Sequence, residues 1–271
     1  MIQGLGPALG WLAVSRARTI SGDMLKQLPI NMLWISEDLS RLARLSLTSF
    51  LKHGFRVTLW SYEPEAHALC GASVRDAAEI LPEGRDLDAS FAYLSSLFRY
   101  RVLADMGGAW SDMDIVALTD SPDIRAVPLV ASEKRRPFRH KEPTATAESL
   151  TQITNCFMAN PEPMAGDLWH RAAALVANLK AADQTWENVG PHMLNRLMLE
   201  DLGHGVTILD PDIVDPISWW NVPGSFMEAR DPPPSPFMHM YASIWAKRGV
   251  NADDAFPADS MAGRLWRSFG L

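Results

Sequence analysis

Cysteine is nearly absent from this chain: Cys70 and Cys156 are the only two. Two thiols in a chain of 271 residues do not make a disulfide framework, so both are expected to be reduced and the protein cytoplasmic. Long apolar runs are missing as well. No stretch approaches the roughly 18 residues a membrane span needs. The apolar run from Gly4 to Val14 is short and is followed, not preceded, by Arg16 and Arg18, the reverse of a signal peptide. There is no excess of positive charge either. The net charge is −7, which removes the general reason to expect nucleic-acid binding. No internal repeat is visible, and with 47% hydrophobic residues the core is ample, since a chain of this size buries roughly 75% of its unfolded surface.

What is present reads as alternating strands and helices. Ile30 to Ile35 is a short run rich in branched and aromatic residues, as in a buried strand. Leu39 to His53 carries Leu42, Leu45, Leu47 and Phe50 at helical spacing, Gly54 is a stop signal, and Arg56 to Ser61 alternates like a second strand. Strand, helix and strand within about 30 residues is the signature of a parallel α/β sheet. Ala89 to Asp105 reads as a helix, with Phe91, Leu94, Phe98 and Val102 on the core stripe and Ala92, Ser96, Arg99 and Leu103 on the adjacent one. Gly107 and Gly108 close it, glycine supplying the left-handed conformation. Ala109 to Leu118 then reads as one strand and Val127 to Ala131 as another. Leu168 to Leu179 and His192 to Leu202 are helical, Val206 to Leu209 is a short strand, and Asp231 to Pro236 is a proline-rich loop. A lead-in over residues 1–29, one domain over 30–250 and a tail over 251–271 packed on that domain follow.

Within the strand after the two glycines stand Asp112 and Asp114. In an extended chain they face one side and Met113 the other. Two like charges so close call for a cation between them or a proton on one. A hard divalent ion on such a pair can bridge to phosphate oxygens and neutralise a diphosphate leaving group. The pattern Asp-x-Asp by itself arises often by chance, so its context decides.

That context resembles the glycosyltransferases with a DXD-containing sugar-binding region. These include the fungal initiating mannosyltransferases, bacterial polysaccharide and capsule enzymes and, distantly, the catalytic domains of large clostridial toxins. Phe98-Arg99-Tyr100, Leu103, Gly107-Gly108 and Asp112-Met113-Asp114 stand in the family's order and spacing. Leu45 to Trp60 is similar to a second block of bacterial members, and Asn155 and Gly190-Pro191 to later landmarks. The likeness implies a GT-A fold, a mostly parallel, doubly wound α/β sheet flanked by helices. The donor then lies at the carboxyl ends of the strands.

It also implies a metal-dependent, retaining transfer from a nucleotide-diphosphate sugar, a UDP-sugar being favoured, to a saccharide or glycolipid acceptor, with Mn²⁺ or Mg²⁺ as cofactor. Asp112, Asp114 and Arg99 would be catalytic, and Asp112, Asp114 and His239 would hold the metal. Trp34 would stack on the base, and Ser96, Arg99, Tyr100, Trp110, Asp112, Ser243 and Trp245 would complete the donor site. Asn155, Trp219 and Trp220 are acceptor candidates. Ser96 stands where the family usually has Asp, so a serine hydroxyl replaces a carboxylate toward the donor sugar. The basic stretch from Lys134 to Lys141 reads either as a solvated loop or as a contact for an anionic acceptor or the inner membrane face. Competing readings are a nucleotide-sugar binder with weak turnover and a haloacid-dehalogenase-type phosphohydrolase. The second would want an unbroken apolar run before its first Asp, which Gly107, Gly108 and Ser111 interrupt.

Overall fold

A computed structural model describes residues 24–85, 90–135, 151–202, 205–251 and 253–271 of the protein. The chain opens with β1 (Ile30–Leu33), α1 (Arg41–Lys52), β2 (Val57–Ser61) and β3 (Ser73–Asp76). Next come α2 (Phe91–Asp105), β4 (Gly108–Ser111), β5 (Ile115–Ala117), β6 (Leu129–Lys134) and β7 (Thr151–Asn160). Three helices follow: α3 (Leu168–Ala177), α4 (Trp186–Val189) and α5 (Pro191–Leu197). The remainder is β8 (Thr207–Ile208), α6 (Pro211–Val214), α7 (Gly224–Met227), β9 (Phe237–His239), α8 (Ala242–Lys247) and α9 (Met261–Ser268).

Seven strands form one sheet in the order β3-β2-β1-β4-β7-β6-β8. The pairs β1–β2, β2–β3, β1–β4 and β6–β8 are parallel, and β7 lies antiparallel between β4 and β6. This is the mostly parallel α/β sheet expected, with antiparallel pairing confined to β7. Both faces are covered, which is why the strands read as continuous apolar runs. Side chains alternate across the sheet into two cores. Trp60, Trp110, Val130 and Met158 pack on the α2 and α3 side. Leu59, Ala109, Leu129 and Phe157, their neighbours in sequence, pack on the α1 side. A third cluster joins Phe226, Trp245, Met261 and Leu265, so α9 is packed on the rest of the chain.

The order β2-β1-β4 makes β1 a switch point: its partners on either side are reached by connections running in opposite directions. In such sheets the crevice for a ligand opens at the carboxyl ends of the strands flanking that point. Here those ends are Leu33-Trp34 and Ser111-Asp112.

Two features fix β4 in that position. Gly107 and Gly108 both have positive φ, 71° and 86°, conformations that glycine adopts without penalty. A Cβ on Gly108 would stand 2.7 Å from the Pro29 carbonyl oxygen. Glycine therefore lets the chain leave α2 and press against the start of β1. Beside it Asn31, buried in β1, donates to the carbonyls of Gly107 (3.1 Å) and Ala109 (3.2 Å) and accepts from Trp60 Nε1 at 2.9 Å. One amide thus ties β1, β2 and β4 together.

Three expectations are corrected. Residues 109–118 are not one strand: β4 ends at Ser111, and β5 leaves the main sheet to pair antiparallel with β9. Phe91 does not face the core. It is 62% exposed because it is the first residue of α2, whose start is set by the Ser90 hydroxyl accepting from Tyr93 N–H. The longest strand, β7, was not foreseen, since Thr151, Gln152, Thr154 and Asn155 interrupt its apolar pattern.

Helix α3 packs on α2 and is held by Asp167 at its N-cap. Oδ1 accepts from the N–H groups of Trp169 and His170, both at 3.0 Å, and Oδ2 from Met164 N–H at 3.1 Å. Burial works against the charged form of Asp167, but the hydrogen bonds from His170, Met164 and Asn160 outweigh it and hold the carboxyl below its ordinary value. A depressed carboxylate stabilises the fold above its unfolded pKa, and that contribution is lost as pH falls through the folded value. Asp167→Ala should therefore cost about 1–2 kcal/mol at neutral pH, the range for a lost N-cap. In denaturant titrations the gap between the two proteins should narrow below about pH 4.

Candidate functional site

The turn between β4 and β5 carries the two carboxylates. Asp112 N–H donates to the Cys156 carbonyl at 2.8 Å, the last contact with β7, and Ile115 N–H reaches the Asp112 carbonyl at 3.3 Å. The chain then changes sheets. β5 is held on one edge by β9 and on the other by two serines of α1: Ser46 Oγ donates to Ile115 O (2.6 Å), and Ala117 N–H donates to Ser49 Oγ (2.9 Å). The chain turns here and is not extended, so the alternation of side chains along a strand does not apply to Asp112 and Asp114. They have separate partners.

Asp112 faces α2. Arg99 Nη1 lies 3.0 Å from its Oδ1, and Trp110 Nε1 donates to the same oxygen at 2.8 Å. Burial raises the Asp112 carboxyl above its ordinary value. Arg99 pulls it down, and the neighbouring Asp114 pushes it up again. Asp114 faces β9 and α8. Ala242 N–H donates to Oδ2 at 2.7 Å, and His239 Nε2 lies 3.4 Å from Oδ1. Burial opposes its ionisation too, but the charge of His239 and these hydrogen bonds outweigh burial and hold Asp114 low. His239 is itself raised well above its usual pKa, the pull of Asp114 overcoming burial. Each acid is thus matched by a cation supplied by the fold.

Around this pair several residues carry structural duties instead of the ligand contacts expected of them. Arg99 is nearly enclosed: besides Asp112, Nη1 donates to Asn155 O (2.7 Å), Nε to Ser95 O (3.2 Å) and Nη2 to Ser95 Oγ (3.3 Å). Its guanidinium also lies 5.1 Å from the centre of the Trp110 ring. Little of it is left for a phosphate. Tyr100 is fully buried, donates to Val189 O at 3.1 Å and accepts from Asn155 Nδ2 at 3.2 Å. Trp110 packs against Phe98, and only its indole N–H reaches the turn. Trp245 has no exposed surface, and its Nε1 donates to Met240 O at 2.7 Å. Tyr100 and Trp245 are therefore removed from direct donor contact, and Asn155 is an anchor for Arg99 and Tyr100, not an open acceptor contact. Ser96 is buried in α2, and it is Ser95, one turn before Arg99, that touches the guanidinium.

The remaining expected residues lie nearer solvent. Trp34, at the end of β1, is half-buried and donates to Asp38 O at 2.9 Å. Ser243 is exposed in the first turn of α8, beside the Ala242 N–H that holds Asp114. Trp219 and Trp220 are half-buried and meet edge to face with ring centres 5.6 Å apart. Of the basic stretch, Lys134 belongs to β6 and pairs with Asp212. Residues 136–141 lie outside the described residues. Two cavities, of about 680 and about 320 Å³, are lined by other elements, the proline-rich loop with His53 and Phe269, and the segments after β1 and β2.

No family model matches the chain, and no curated protein matches it. Among solved structures it is similar to the PaToxG glycosyltransferase, with 13% identity, coverage of 89% of this chain and 85% of that one, and a TM-score of 0.44.

Four residues of the site carry no signal in the sequence. Asp215 lies behind His239, with Oδ1 2.7 Å from Nδ1, and Cys156 Sγ donates to its Oδ2 at 3.8 Å. Burial pushes the Cys156 thiol up to about 12, so it is neutral and unreactive as a nucleophile. Tyr241 stacks on the His239 ring and donates to Glu133 Oε2 at 3.2 Å. Burial, then the charge of Asp215, raises the Glu133 carboxyl. These residues come from β6, β7, the end of α6 and the start of α8, and no local spacing links them.

The Arg99–Asp112 pair is the feature most exposed to test. Arg99→Met would remove the charge facing Asp112, leaving it only the Trp110 N–H, and would take the guanidinium donor from the Asn155 carbonyl. Removing one partner of a buried pair costs about 3–5 kcal/mol. With the Asp112 side chain 26% exposed, about 2–3 kcal/mol is expected here after discounting for water. Urea unfolding of the two proteins measures it, and a difference below about 1 kcal/mol would mean that the pair is solvent-screened.

Proposed function

We propose that this chain is a metal-dependent glycosyltransferase that moves a sugar, with retention, from a nucleotide-diphosphate sugar to a saccharide or glycolipid acceptor. The observation that carries the reading is the Asp112–Asp114 turn at the carboxyl end of β4, beside the switch point at β1, with His239 Nε2 3.4 Å from Asp114. The donor set fits a divalent ion. Two carboxylates and an imidazole that gives up its Nε2 proton to solvent on binding suit Mn²⁺, and the carboxylates alone suit Mg²⁺. His239 has a carboxylate behind Nδ1 and faces Asp114 with Nε2, the arrangement in which histidines bind metals. Asp112, Asp114 and His239 would hold the ion, which when bound would supply neutralising charge to a diphosphate leaving group.

The chain's own residues divide the remaining work. Asp114 is kept ionised by the Ala242 N–H and the His239 ring, so a ligand oxygen is ready without prior deprotonation. Asp112 is aimed by Arg99 and Trp110, which makes Arg99 a positioning residue for the first carboxylate and leaves diphosphate contact to Ser243 and exposed backbone. Trp34, half-buried at the end of β1, suits stacking on a nucleobase, and a uridine base is the favoured choice. Trp219 and Trp220 offer an aromatic face of the kind sugars stack on. The basic stretch Lys134 to Lys141 suits the phosphate of a glycolipid acceptor at the inner face of a cytoplasmic membrane. Among the described residues no helix is long and apolar enough to cross one.

The test is a metal and nucleotide titration. Asp114→Asn keeps an oxygen that can accept from the Ala242 N–H but gives up the charge opposite His239 Nε2, so it should still fold, with a loss of about 1–2 kcal/mol. It should nevertheless lose Mn²⁺-dependent UDP binding and sugar transfer. Transfer at the parent rate by Asp114→Asn would remove this turn from the reaction. Release of phosphate from simple esters by the parent would replace the reading with a phosphohydrolase.

A further inference from the structure

His239 is held on its edge and on its face by residues to which the proposed reaction assigns no role. On the edge, the Asp215 carboxylate, with no exposed side-chain surface, stands 2.7 Å from Nδ1. On the face, the Tyr241 ring lies at 3.8 Å between centroids, 25° from parallel. Tyr241 is the one non-glycine among the described residues with positive φ, 52°. A bulky residue in the left-handed region is a backbone outlier that its surroundings must enforce, and such outliers cluster where geometry serves function. Its hydroxyl is anchored in turn: it donates to Glu133 Oε2 at 3.2 Å, and Glu133 also accepts from Gln152. A chain of contacts therefore runs from β6 and β7 through Tyr241 and Asp215 to one imidazole. The only ring nitrogen left for the carboxylate turn is Nε2, 3.4 Å from Asp114 Oδ1.

We infer that Asp215 and Tyr241 are positioning residues that fix the His239 ring so that Nε2 is presented to the Asp112–Asp114 turn. This rests on the reading of that turn as a metal site. The physical reason is that an imidazole has two nitrogens and free rotation about two bonds. A buried carboxylate on Nδ1–H selects both the tautomer and the ring orientation, and residues behind a ligating histidine act on affinity in this way. Asp215 suits the task because it sits at the C-terminal end of α6, held by Asp215 N–H donating to Pro211 O at 2.8 Å. Neither residue is expected to touch donor or acceptor. A different arrangement of the same atoms would make Cys156, Asp215 and His239 the ion-binding group, since their ligand atoms lie within 4.8 Å of one another. That alternative is an outcome of the test below.

The experiment uses the full chain and Mn²⁺ alone as the probe, with the His239 ring followed by ¹⁵N-edited NMR in metal-free protein. In the parent, a slowly exchanging Nδ1–H signal of His239 is expected. Asp215→Ala should lose that signal and weaken Mn²⁺ binding about 10–100-fold, the range for a residue behind a ligating histidine. Asp215→Asn keeps an acceptor oxygen. It should retain the signal and lose about 3–10-fold in affinity, and it serves as the deciding variant if Asp215→Ala does not fold. Cys156→Ser should bind Mn²⁺ as the parent does. Parent-like affinity in a folded Asp215→Ala, or in Asp215→Asn if that variant must decide, overturns the inference. So does a loss in Cys156→Ser as large as in Asp215→Ala, which would assign the ion to the buried triad. If the parent binds no Mn²⁺, the metal reading fails. Positioning is then judged by the ring signal alone: its loss in Asp215→Ala supports the role, and its persistence overturns it.

Discussion

Two carboxylates two residues apart in a shielded turn need compensating charge, and the rest of the site follows from how the fold supplies it. Asp112 receives a guanidinium from α2 and Asp114 an imidazole from β9. Neither cation comes from nearby in sequence, so the turn can exist in this form only once helix, sheet and C-terminal segment have come together. The low dielectric that makes each pair strong also makes an unpaired partner costly. Arg99 is accordingly over-determined, with Ser95, Asn155 and Trp110 all engaging its guanidinium. The same logic extends outward through Asp215, Tyr241 and Glu133, so that a polar layer runs from the turn into the sheet.

The backbone makes that layer possible by leaving the main sheet at one point. β4 runs beside β1 because two glycines with positive φ allow close contact with Pro29, and because Asn31 knits β1, β2 and β4. Past Ser111 the chain turns into β5, whose edges are satisfied by β9 and by Ser46 and Ser49 of α1. Serine in a helix interior usually lowers helix stability. Here both hydroxyls are used on a neighbouring strand, which accounts for two buried polar residues on the core face of α1. The detour gives Asp112 and Asp114 separate partners and brings β9, with His239, alongside.

Much of the architecture was legible before the structure. The strand, helix and strand from Ile30 to Ser61, the long helix ending at Asp105 and its closure by Gly107 follow from periodicity and from the conformational freedom of glycine, both local properties. β7 was not legible. Its residues are buried by helices on one face and by the site on the other, so Thr154, Asn155 and Asn160 are polar for reasons of hydrogen bonding, and the apolar alternation that marks a strand is lost. The aromatic residues misled for the opposite reason. Tyr100 and Trp245 carry polar handles that suit ligand contact, yet each handle is spent on a main-chain carbonyl.

From the sequence alone came the α/β class, the parallel start of the sheet and the candidacy of Asp112, Asp114 and His239, because hydrophobic period, glycine and a short acidic pattern are encoded over a few residues. Tertiary structure alone decided which cation serves which acid, that Arg99 is engaged by Asp112, Ser95 and Asn155, and that Asp215 and Tyr241 stand behind His239. Those relations join residues far apart in the chain, and charge compensation in a buried site depends on distance in space, which no local spacing records.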